Sequence, residues 1–125
     1  MSHALSIPTK LPSMNAWANQ HRGWERVRWI KAAFLKELPP LSPRQRAVKG
    51  RRLRVTITRV LGPRERPYDT DNLYGAVKPL IDALRDAEYI FDDDGSHIDL
   101  HVAQDASARS AGPKILISIR PGRGK

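Results

Sequence analysis

Residues 53–84, LRVTITRVLGPRERPYDTDNLYGAVKPLIDAL, change periodicity partway along. Leu53, Val55 and Ile57 alternate with Arg54, Thr56 and Thr58 in a β-branched run, which predicts a half-buried strand over 53–60. Gly62-Pro63 ends it, and residues 64–68 form a basic loop. Leu73, Val77, Leu80, Ile81 and Leu84 then recur at three- and four-residue intervals, an amphipathic helix from about Asp71 to Ala87. Asp69, Thr70 and Asp71 stand at its start, where side-chain oxygens cap free N–H groups and acids suit the helix dipole. Gly75 weakens this helix, and Pro79 disfavours helical geometry at Lys78, so a kink or a short first segment is expected.

Upstream, residues 1–15 are polar, contain Pro8 and Pro12, and read as an extended entry segment with one short strand near 4–8. Trp17, Trp24, Val27, Ile30, Phe34 and Leu38 mark an amphipathic helix between about Ala16 and Leu38, starting nearer Trp24 because Gly23 interrupts it. Arg22, Arg26, Arg28, Lys31 and Lys36 line its polar side, and Pro39-Pro40 stops it. Residues 42–52, SPRQRAVKGRR, are a basic connector. Downstream, Tyr89-Ile90-Phe91 is a brief apolar run before an Asp92–Ser96 turn, and Ile98–Val102 alternates as a strand. Residues 104–113 form a small-residue loop, Lys114–Arg120 a last strand, and 121–125 a basic tail. The fold class expected is α+β: one domain over 1–125, with a small mixed β-sheet and two main helices packed on it.

The chain has 125 residues, no cysteine and a formal charge of +9. The missing cysteines exclude a disulfide scaffold, thiol catalysis and thiolate-held metal centres, and suit a reducing, cytoplasmic setting. No apolar run reaches the ~18 residues of a membrane span, and the N-terminus lacks a signal-peptide core. A pI near 10.5 points to a polyanionic partner, nucleic acid first and an acidic membrane surface second. The charge is segregated. Residues 1–68 carry 15 basic and 3 acidic side chains, residues 69–105 carry 2 and 10, and residues 106–125 carry 5 and none. The acidic island either neutralises its basic surroundings or holds divalent cations beside a bound phosphate backbone.

The spacing of a few acids bears on that choice. Asp69 and Asp71 are one residue apart ahead of a helix, which in extended chain puts both carboxylates on one side. Magnesium takes hard oxygen ligands, one or two of them carboxylates, with water and substrate phosphate. A third carboxylate from Asp92–Asp94 can converge on them, and Lys78, two turns on from Asp71, can face the same way to meet a phosphate. Each feature has a plainer reading: a capping pair, a solvated turn, a surface lysine. Neither acidic cluster is an EF-hand, because its sixth position is Tyr74 or His97 in place of glycine. His97 and His101 read as ordinary strand histidines. Trp17 and Trp24 fall on the apolar stripe and belong in the core, which leaves Trp29 as the exposed candidate for base stacking.

Asp69-x-Asp71-Asn72-Leu73, then Lys78-x-x-x-Asp82-Ala83-Leu84, then Asp92-Asp93, resembles the RusA family of Holliday-junction resolvases, small dimeric magnesium-dependent endonucleases. Pro12-Ser13-Met14-Asn15 is similar to that family's Pro-Ser-x-Asn segment, and Arg64 and Arg66 to the basic run before its acidic pair. The resemblance spans most of the chain and implies a RusA-like fold. By it, Asp69, Asp71 and Asp93 would ligate Mg2+, Lys78 would be the active-site lysine, Asn72 would support the acidic loop, and Asp82 would be structural. Two departures stand out. The interval from the second Asp to the Lys is seven residues where the best-known form has four; both return to one helix face. Asp94 also extends the acidic doublet, so Asp92 or Asp94 can stand in for Asp93. The implied activity is resolution of branched DNA by paired nicks, without a small-molecule cofactor or a membrane. The backbone contacts would come from Arg28, Lys49, Arg51, Arg52, Arg54, Arg64, Arg66 and the tail. The alternatives are a non-catalytic nucleic-acid-binding module, a basic structural protein, or a nuclease for other branched DNA such as flaps.

Overall fold

A computed structural model of the chain describes residues 2–13 and 23–122. Four strands, β1 (His3–Ile7), β2 (Leu53–Val60), β3 (Ile98–Asp105) and β4 (Lys114–Pro121), form one sheet in the order β1-β4-β2-β3. β4 is antiparallel to both β1 and β2, whereas β2 and β3 are parallel, so the sheet is mixed. A parallel pair needs a crossover, and here it is made by α2 (Thr70–Ala76) and α3 (Lys78–Asp86). α1 (Gly23–Glu37) packs beside α3 on the same side of the sheet.

Alternation along the strands decides which face is covered. Val55 and Ile57 of β2 and Ile115, Ile117 and Ile119 of β4 are buried, joined by Ile30 and Phe34 of α1 and Leu80, Ile81 and Leu84 of α3. Their neighbours of opposite parity, among them Arg54, Leu116 and Arg120, lie on the uncovered face. Lys31 on α1 and Asp86 on α3 close an ion pair at 2.6 Å across the helix layer.

The long helix expected over 71–87 is two helices broken at Val77, which ends α2 and begins α3 immediately before Lys78-Pro79. α3 finishes in a Schellman turn: Glu88 N–H donates to Arg85 O, Tyr89 N–H donates to Leu84 O, and Glu88 takes φ +68°. That turn aims Tyr89 and Ile90 into the core and delivers the chain to the acidic turn.

Several details differ from expectation. β3 runs on to Asp105, and short 3-10 turns occupy Pro43–Gln45 and Arg109–Ala111. Trp24 is not a core residue. It is 59% exposed in the first turn of α1, whose buried residues, Ile30 and Phe34, lie further along the helix. Trp29, expected outside, is 73% exposed. His97 precedes β3 and is not on it. Trp17, Arg22, Met14-Asn15 and residues 123–125 lie outside the described residues. Among the described residues, no helix is long and apolar enough to cross a membrane.

Candidate active site

The loop that carries the acidic pair is clamped to the sheet by a buried cation. Arg59, 2% exposed, falls on the parity that buries Val55 and Ile57. Its guanidinium donates to Arg66 O at 3.0 Å and to Gln104 Oε1 at 2.7 Å, lies 3.7 Å from Glu65 Oε2, and stacks 3.6 Å over the Tyr68 ring. Gln104 on β3 also accepts from Tyr68 N–H at 2.8 Å and donates to Tyr68 O at 2.9 Å. Tyr68 therefore has no freedom to slide, and Asp69 follows it directly. The Tyr68 hydroxyl donates to Leu11 O at 2.7 Å, and burial holds its pKa above the ordinary phenol value.

Asp69 caps α2: its Oδ1 accepts from Asn72 N–H at 2.8 Å. Asp71 lies in the first turn, and both acids are exposed. The Asn72 side chain is buried, and its amide exchanges hydrogen bonds with the Ser13 hydroxyl at 3.0 and 3.1 Å. Leu11 and Ser13 thus fasten the entry segment to the acidic loop. The motif's two separated pieces, around Ser13 and around Asn72, touch.

Lys78, at the start of α3, is exposed, and its Nζ lies 3.8 Å from Asp93 Oδ2. Asp92 is engaged elsewhere, accepting from Asp93 N–H at 2.8 Å and facing Arg85 at 3.8 Å. Asp94 Oδ1 meets His97 Nδ1 at 2.7 Å and accepts from the Ser96 hydroxyl at 2.8 Å. His97 first and Ser96 second hold the Asp94 carboxyl below its ordinary value. His97 Nε2 accepts from Gly50 N–H at 3.1 Å, so this histidine ties the connector to the acidic turn. Asp82 sits 3.9 Å from Arg85 in a helical i,i+3 pair.

The acids are spread along the parallel strand pair. Gln104, which grips Tyr68, and Ile98, whose N–H donates to Asp94 O, are separated by six residues of strand, about 20 Å. Asp69 and Asp71 follow Tyr68 at the first point, and the 92–94 turn, with Lys78 against Asp93, sits at the second. Among the described residues, no three His, Asp or Glu side chains are grouped so that they could hold a metal ion.

The cations expected to meet nucleic acid fall into three places. Arg28 is on the outer side of α1, 5.7 Å from the Trp24 ring. Arg64 and Arg66 are exposed on the loop ahead of Asp69, and Lys49, Arg51, Arg52 and Arg54 line the connector and the start of β2. Neither Arg59 nor Gln104 belongs to a motif visible in the sequence. The signal was a charged residue on the apolar parity of an otherwise regular strand. No protein-family model matches the chain, and no curated protein matches it in sequence.

Proposed function

We propose that the chain is a Mg2+-dependent endodeoxyribonuclease that resolves four-way DNA junctions by paired symmetric nicks, working as a cytoplasmic homodimer in DNA recombination or repair. The observation that carries this reading is the contact of Lys78 with Asp93 at 3.8 Å. It joins the two later pieces of the ordered motif, while Asp69 and Asp71 stand ahead of Lys78 on the same crossover.

The donor set suits magnesium. Asp69 and Asp71 offer hard, exposed carboxylate oxygens, and capping engages only one oxygen of Asp69. Two carboxylates completed by water and a DNA phosphate are an ordinary magnesium environment. When bound, the ion supplies activation of a water and relief of charge on the leaving oxygen, which leaves a 5′-phosphate and a 3′-hydroxyl. Lys78 meets the scissile phosphate when that phosphate displaces Asp93 as its partner. Asp93, freed of Lys78, would serve as a further ligand only once the 92–94 turn is drawn toward Asp69 and Asp71. Asn72 and Ser13 keep the acidic loop in place, and the exposed arginines bind backbone in a salt-sensitive manner. Two-fold pairing sets one site on each of two opposed strands.

A non-catalytic nucleic-acid-binding module is the second reading, favoured by the lack of a three-residue metal group among the described residues. Incubation with labelled four-way junctions and flaps, with and without Mg2+, separates the possibilities. The proposal expects paired symmetric incision of the junction only with the metal. Salt-sensitive binding without cutting would leave the binding module, and preferential flap cutting would leave a different nuclease.

A further inference from the structure

The uncovered face of the sheet carries an arrangement that costs stability. Arg54 on β2 and Arg120 on β4 are register partners, both exposed, so their side chains leave the same face side by side. Like charges directly opposite one another destabilise a sheet. Asp99, the β3 partner of Arg54, is the nearby acid, and its Oδ2 is engaged by His101 Nε2 at 3.3 Å. The same His101 nitrogen lies 3.3 Å from Arg54. Among the described residues, neither Arg54, Arg120 nor Arg52 has an ion-pair partner. The three arginines and Asp99 line a cleft of about 380 Å³ closed by Pro121 and Gly122. At its other end Arg52 Nε donates to Gly95 O at 3.0 Å, in the turn that holds Asp93.

We infer that this cleft is a backbone-phosphate site for DNA, with Arg54 and Arg120 taking adjacent phosphates and Arg52 marking its junction with the acidic turn. The inference rests on the proposed DNA substrate and adds a surface to it: the strand leaving Lys78 and Asp93 continues past Gly95 onto the open sheet face. Adjacent phosphates taken by the two opposed guanidiniums offset their repulsion and give each a planar, two-pronged contact.

The test is the double variant Arg54→Gln/Arg120→Gln, with Lys36→Gln/Arg44→Gln, both off the sheet, as a control that removes the same charge elsewhere. Junction binding is followed by fluorescence anisotropy across a salt series, and thermal unfolding of the free protein is followed in low salt. The arginine variant should bind more weakly, and its log K against log salt slope should fall by about 2, one per phosphate lost. The control slope should stay at the wild-type value. Without DNA, the arginine variant should melt about 1–4 °C higher, because the opposed charges are gone; a purely structural pair would melt lower. Unchanged affinity and slope in the arginine variant, with wild type binding DNA, overturn the cleft and leave the nuclease reading standing. A wild type with no salt-dependent DNA binding overturns both.

Discussion

Asp69 does two jobs that substitution can separate. As an N-cap it satisfies an α2 N–H, and as a proposed ligand it supplies charge. Asparagine caps as well as aspartate does. Asp69→Asn should therefore unfold within a few tenths of a kcal/mol of wild type yet lose Mg2+-dependent cutting, whereas Asp69→Ala should lose about 1 kcal/mol as well. Chemical denaturation beside a cleavage assay reads both, and full activity in Asp69→Asn would make the residue a cap and nothing more. Asp94 gives a pH signature. Its lowered carboxyl adds stability that is present above the ordinary value of 3.8 and lost as pH falls through the lowered one. The Tm gap between wild type and Asp94→Ala should be open above the ordinary value of 3.8 and shrink as pH falls below it; a gap that widens in acid would contradict the His97–Asp94 link. Lys78→Ala should slow cutting about 10²–10³-fold with little change in stability, since the side chain is exposed.

Elements are where the sequence was easiest to read and where it misled. The Leu53–Val60 alternation and the Leu73–Leu84 spacing both report burial of one face, and both elements form there. The break at Val77 was legible because Pro79 disfavours a continuous helix through the residues just before it and suits the first turn of a new one. Trp24 was not legible: helical spacing tells which side a residue faces, but not whether anything packs against that turn. Arg59 was hidden for a related reason, since the side chains that satisfy it, Glu65, Tyr68 and Gln104, come from other segments. Arg59→Met should cost about 3 kcal/mol, because Glu65 and Gln104 would be left without their cation. Hydrogen exchange should quicken at Tyr68–Leu73, and unchanged protection there would show that the loop holds itself. Leu84→Ala, at a fully buried point of the helix layer, should cost about 2–5 kcal/mol of unfolding free energy in denaturant titration.

At the scale of the molecule, a basic surface surrounds a crossover whose acids follow one another along a parallel strand pair. The order of those acids is visible in sequence. Their separation, with Asp69 and Asp71 toward Gln104 and Asp93 toward Ile98, is not, because it depends on β2 and β3 running parallel. That arrangement leaves Asp71 the most direct test of whether the groups cooperate. Asp71 lies in the first turn of α2, and among the described residues no hydrogen bond depends on its side chain. The decisive measurement is the rate at which Asp71→Asn cuts a labelled four-way junction in Mg2+, with binding followed on the same sample. Loss of cutting with binding equal to or tighter than wild type is predicted, because one repulsive charge is gone; cutting at the wild-type rate would contradict the metal site.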